Sequence, residues 1–131
     1  MSRMLCRWLG MALLLAGMAG FVEPTLLGMH LAPIHNVILI VSGGLAVSLG
    51  FLGSGEAMKG FSLACGAFYA LLGFLGFGAP GFVAGLIGHV GDASAVALRP
   101  DNLVHLALGG LLLFGAVADL TTRVDPNPHL P

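Results

Sequence analysis

Residues 102–110, NLVHLALGG, set an amide and an imidazole into a chain that otherwise shuns polarity. On a helix Asn102, His105 and Gly109 fall on one face. Such a stripe has two uses. It could lock two membrane helices together through an amide and a close backbone approach, or it could bring an imidazole to a working site. Other ligating groups are spread along the chain: His30, His35, His89 and His129, with the carboxylates Glu23 and Asp92. Three or four imidazoles and a carboxylate would suit Zn or Cu. Two histidines on facing helices would suit a haem iron. The candidate ligands are His30, His35, His89, His105, Glu23 and Asp92. No H-x-x-x-H pattern ties them together, and His30 and His35 are spaced onto different helical faces, so the spacing predicts neither a metal centre nor any cofactor. A further use is a proton or solute path through Glu23, His105 and the asparagines, because ionisable groups within spans are functional candidates. Against it, Glu23 and His105 fall near helix ends, and no acid lies mid-membrane.

Catalytic chemistry finds no footing. Ser42, Ser48 and Ser62 have no histidine–acid pair at a recognisable spacing. The stretch GSGEAMKG is glycine-rich but lacks the strand and the Lys-Ser/Thr end of a phosphate loop, and reads as a tight hairpin. Cys6 and Cys65 have no neighbouring cysteine or histidine at ligand spacing and read as packing residues. The expectation is a protein that is not an enzyme.

The elements that position these residues follow from composition. Of the 131 residues, 57% are hydrophobic and only 8% charged, against about 25% charged in a soluble domain. So few charges cannot coat a soluble surface, and the bilayer must be the solvent. The net charge is −1 without a Lys/Arg cluster, which argues against nucleic acid and against a polybasic lipid-binding segment. Charged residues divide the chain into four apolar spans, at about 4–22, 35–54, 60–79 and 101–120. The first is short unless Arg3 and Arg7 snorkel to the headgroups. A signal peptide is the rival reading of MSRMLCRWLGMALLLAGMA. Four spans place Arg3, Arg7, Lys59 and Arg123 on one side and Arg99 on the other, so both termini are expected in the cytoplasm. The outer loops, 23–34 and 80–100, are apolar enough to lie in the interface or fold back as a lid.

An internal repeat is also expected. Gly17, Gly20, Phe21 and Pro24 match Gly73, Gly76, Phe77 and Pro80 at one constant offset. Asn36, Gly43, Gly44 and Leu45 match Asn102, Gly109, Gly110 and Leu111 at another. Residues 1–131 thus read as one transmembrane domain of two tandem helical hairpins, about 4–54 and 60–120, with a tail at 121–131 and a pseudo-twofold along the membrane normal. The repeat counts against cleavage of the first span. Small residues recur every fourth position at Ala12, Ala16 and Gly20, at Ser42, Ala46 and Gly50, and at Gly66 and Ala70. Asn36 and Asn102 are expected to hydrogen-bond to each other across the pseudo-twofold, with Gly43 and Gly109 letting backbones touch. Asp101 is expected to cap the last helix.

The pattern Asp-Asn-x-x-His-x-x-x-Gly at 101–109, with His35-Asn36 and Gly43, resembles an uncharacterised family of small bacterial four-helix membrane proteins. The resemblance implies tandem pairing and a bacterial plasma membrane, and supplies no catalytic residue. The family pattern carries His-Asn-x-x-His in the first half as well, where this chain has Leu39. The expected protein is an all-α, four-span, non-enzymatic structural or accessory subunit. It would act through helix contacts, with lipid, other membrane subunits or its own copies as partners. A small transporter or channel, and a metal- or haem-binding protein using the outer histidines, are the alternatives.

Overall fold

The computed structural model describes residues 1–25, 31–86 and 100–121. Its elements are helices: α1 (Ser2–Gly20), α2 (Pro33–Leu52), α3 (Gly55–Gly78), the short α4 (Pro80–Leu86) and α5 (Pro100–Thr121). Helices α2, α3 and α5 are each long and apolar enough to cross a membrane. Helix α1 falls outside that group; Arg3 and Arg7 sit in its first two turns. Large apolar side chains such as Leu15, Val41, Phe74 and Phe114 face outward, as expected where lipid is the solvent.

Proline and serine set the boundaries. Pro33 opens α2 and Pro80 opens α4, where a missing N–H costs nothing. The link from α2 to α3 is only Gly53–Ser54. Ser54 caps α3, its Oγ accepting from Ala57 N at 3.2 Å, so Glu56 and Lys59 belong to the helix and pair at 2.8 Å rather than forming a loop. At the start of α5 the helix already includes Pro100, so Asp101 lies in the first turn and is not the cap. Proline's fixed φ suits the first helical position, which displaces Asp101 by one residue. Part of the 80–100 segment, expected to be a loop, is the helix α4, whose Val83 and Ala84 pack on Leu75 of α3.

Helix α1 packs chiefly on α2 and α3 chiefly on α5, with sparser contacts between the two pairs. Each pair is held by glycine. At Gly17 an added Cβ would meet Asn36 O at 2.9 Å and Ile40 Cγ1 at 2.8 Å. At Gly73 it would meet Asn102 O at 2.8 Å and Leu106 Cγ at 2.7 Å. A Cβ added at Gly43 would meet Gly10 O at 2.7 Å, and one at Gly109 would meet Gly66 O at 2.7 Å. Gly20 and Gly76 leave no room for a Cβ beside the side-chain oxygens of Asn36 and Asn102, respectively. The buried small face of α1 is therefore Gly10, Gly17 and Gly20, not the ridge that begins at Ala12 and Ala16. Ala12 is exposed and Ala16 half-buried, because the face that meets α2 is set by where the backbone can come closest.

Arg3 and Arg7 do not simply reach outward to headgroups. Arg3 donates to Gly50 O at 3.4 Å and Gly53 O at 3.2 Å, and Arg7 Nε donates to Gly50 O at 2.8 Å. The Arg7 guanidinium also lies 4.5 Å from the centre of the Phe51 ring. These two side chains satisfy carbonyls at the end of α2 that have no partner within the helix, where the dipole favours cations.

Adding a methyl group at a contact glycine should be costly, and at an open one harmless. Gly76→Ala should destabilise the protein by about 1–3 kcal/mol, while Gly110→Ala, whose Cβ meets nothing within 4 Å, should leave it unchanged or slightly firmer. Unfolding in mixed micelles checks this, and equal stabilities for the two variants would contradict the packing described.

Candidate functional site

The NLVHLALGG stripe divides between two neighbours. Asn102 and Gly109 are buried against α3, at Gly76 and at Gly66–Ala70. His105 turns instead toward the centre of the bundle. Its ring stacks on Tyr69 of α3 with centroids 5.7 Å apart and planes 24° from parallel. On its other side stands His35 of α2, at 5.5 Å between centroids and tilted 45°. One helix face thus serves two purposes, because i to i+7 spacing drifts around the cylinder and three helices converge on α5.

Tyr69 is almost fully buried, at 1% exposure, and its hydroxyl donates to Ser42 Oγ at 3.1 Å. A buried phenol needs such a partner, above all in lipid. Cys65 lies beside Ser42 and Tyr69. Toward the opposite end the buried Cys6 Sγ and Ser62 Oγ meet at 3.6 Å. The bundle interior therefore carries polar groups contributed by α1, α2, α3 and α5. Neither Tyr69 nor Ser42 was a site residue in the sequence reading. A lone tyrosine in a helix reads as an apolar anchor, and only tertiary packing brings a serine from another helix to its hydroxyl.

Asn36 also departs from expectation. Its Nδ2 donates to Leu31 O at 3.3 Å, and its Oδ1 is buried beside Gly20 without a hydrogen-bond partner among the described residues. The reciprocal amide pair between Asn36 and Asn102 is therefore not formed. Each asparagine instead packs on the glycine of its own helical partner, since the hairpin contact is far closer than any contact between α2 and α5. Asn36 and Asn102, with Gly43 and Gly109, are helix-joining residues in this geometry.

A cavity of about 60 Å³ lies beside the histidines, lined among others by Leu13, Leu39, Asp101, His105 and His35. Asp101 is 7% exposed and its Oδ1 has no partner among the described residues. The void has room for a water or two and is far below the roughly 300–1,000 Å³ of small-molecule sites. A porphyrin does not fit between imidazoles whose rings already touch.

Of the candidate ligands, His35 and His105 come together and Asp101 joins them. Glu23 does not. It sits beyond α1, where the Thr25 hydroxyl and then the Thr25 N–H hold its carboxyl below the usual carboxylate range. His30, His89 and Asp92 lie outside the described residues. Among the described residues no group of three or more His, Cys, Asp or Glu side chains is placed to hold a metal ion. No family model, no curated protein and no solved structure matches the chain.

The Tyr69–Ser42 bond joins the two helix pairs and can be isolated by a double-mutant cycle. Tyr69→Phe, Ser42→Ala and the double variant should give a coupling of about 0.6 kcal/mol, and at most about 2. Strictly additive losses would mean that the hydroxyls contribute nothing to each other.

Proposed function

We propose that this chain is a small non-enzymatic integral membrane protein, a structural or accessory subunit that works through helix contacts inside the bilayer. The observation that carries this reading is the division of its surface. Glycine and asparagine are used up inside the helix pairs, while the periphery of α2, α3 and α5 is apolar side chain. A protein with so little polar surface meets its partners in lipid, whether other membrane subunits or its own copies.

The finer reading has four spans, with α1 as the fourth, both termini in the cytoplasm and a bacterial plasma membrane as the location. Its supports are the side-chain charges at the starts of α1 and α3 (Arg3, Arg7, Lys59), the positive-inside rule, and the resemblance carried by Asp-Asn-x-x-His-x-x-x-Gly. We read the chain as two tandem hairpins. The recurrence of Gly17–Asn36 as Gly73–Asn102, and of Gly43–Gly10 as Gly109–Gly66, supports that reading.

Two measurements test the proposal. Gentle detergent extraction should retain a stoichiometric membrane partner or a defined homo-oligomer, and Asn36→Leu or Gly109→Leu should abolish that association. A monomer with no companion, or variants that assemble normally, would refute it. A fluorescent reporter that matures only in the cytoplasm should light up when fused to the C-terminus. A dark fusion, with an externally active reporter in its place, would refute the orientation.

A further inference from the structure

At the start of α1 two guanidiniums converge on one oxygen. Arg3 donates to Gly50 O from a terminal nitrogen at 3.4 Å, and Arg7 donates to the same atom from Nε at 2.8 Å. The two residues are four apart on α1 and share a face. Two full positive charges therefore stand side by side in a chain with few charges. The dipole of α2 brings only about half a negative charge to its carbonyl end and cannot neutralise both. The face of the Phe51 ring serves Arg7 alone. The carboxylates at this end are engaged elsewhere: Asp119 accepts from the Met1 ammonium and the Ser2 N–H, and Glu56 pairs with Lys59. Among the described residues neither arginine belongs to an ion pair.

Donors remain on both side chains. Among the described residues Arg7 spends only Nε, and Arg3 one hydrogen from each terminal nitrogen. Arg3 is exposed, Arg7 half-buried, and the adjoining Trp8 is 66% exposed. Exposed tryptophan beside arginine belongs at the level of the lipid headgroups. We propose that Arg3 and Arg7 together hold the phosphodiester of an anionic phospholipid. A phosphate offers paired acceptor oxygens that match the guanidinium fork, and its charge relieves the repulsion between the two cations. The rest of the headgroup decides the lipid class. A choline would press its own cation against the arginines, whereas a glycerol headgroup leaves the lipid net negative. The inference rests on α1 lying in the membrane, as the four-span reading above has it, and is independent of the accessory role.

Trp8 is the chain's only tryptophan, so its fluorescence reports the lipid at this spot. The protein is placed in vesicles of phosphatidylglycerol and phosphatidylcholine, with one or the other lipid brominated on its acyl chains near the headgroup. At equal mole fraction the brominated phosphatidylglycerol should quench Trp8 more, with a relative affinity of about tenfold or greater. Raised salt should narrow that ratio. Arg3→Gln and Arg7→Gln, whose amides can still donate to Gly50 O, should each cut it by about fivefold. Lys59→Gln, which removes a like charge already paired with Glu56, should leave it unchanged. Excess inorganic phosphate at matched ionic strength should also leave it unchanged. Equal quenching by the two lipids in the parent would overturn the inference while keeping α1 in the membrane. So would a preference that survives both arginine variants, or one that Lys59→Gln abolishes as well. Displacement by inorganic phosphate would make the free anion the ligand and overturn the lipid assignment. No quenching by either lipid would refute the α1 span itself, and the inference with it.

Discussion

Lipid gives helices no reason to associate through apolar surface, since acyl chains are as apolar as leucine. Everything in this fold depends on that constraint. The helices must find contact energy in close backbone approach, and only residues without a Cβ allow it. Gly10, Gly17, Gly20 and Gly43 bring α1 and α2 together, and Gly66, Gly73, Gly76 and Gly109 do the same for α3 and α5. The two asparagines fill the notch that Gly20 and Gly76 leave. In water these would be weak devices beside a leucine core. In a bilayer they are the joints.

The joints between the pairs are of another kind. Besides a shared apolar cluster of Leu13, Leu39, Tyr69, Leu108 and Leu112, they include polar contacts: Tyr69 with Ser42, Cys6 with Ser62, His35 with His105, and the N-terminal ammonium of Met1 with Asp119. A polar contact in a low-dielectric interior is directional and strong relative to its alternatives, yet it fills little volume. Contacts are denser within each helix pair than across the seam.

The side chains that meet at the seam are unevenly divided between the two helix pairs. Tyr69, Leu108 and His105 stand where Leu13, Ser42 and Leu39 stand in the other pair, under the same offsets that relate the glycines. Two of these differences put a polar group on the second pair, the Tyr69 phenol on α3 and the His105 imidazole on α5, and the third puts Ser42 on the first. His35, the counterpart of Asp101, then supplies the one imidazole from α2. Among the described residues one histidine pair, His35 with His105, faces across the seam.

Helix content and membrane character were legible in the sequence, as was the use of glycine and asparagine at close contacts, though not the partners: Asn36, Asn102, Gly43 and Gly109 meet the helix of their own hairpin instead of joining α2 to α5. Each rests on composition or on spacing along one helix. Charge-free stretches specify spans, and proline and serine specify where helices begin. The neighbours across the bundle were not legible. Spacing put Asn102, His105 and Gly109 on one face, but it could not say that this face meets two helices at once. It could not direct Arg3 and Arg7 to the carbonyls of α2, or turn Asn36 toward Gly20 rather than Asn102. It gave no sign that Tyr69 and Ser42 would meet. Contacts within a helix pair are set by local periodicity and a short connection. Contacts between pairs are set by how two finished units rotate against each other, and that rotation is decided only when all the side chains are packed together.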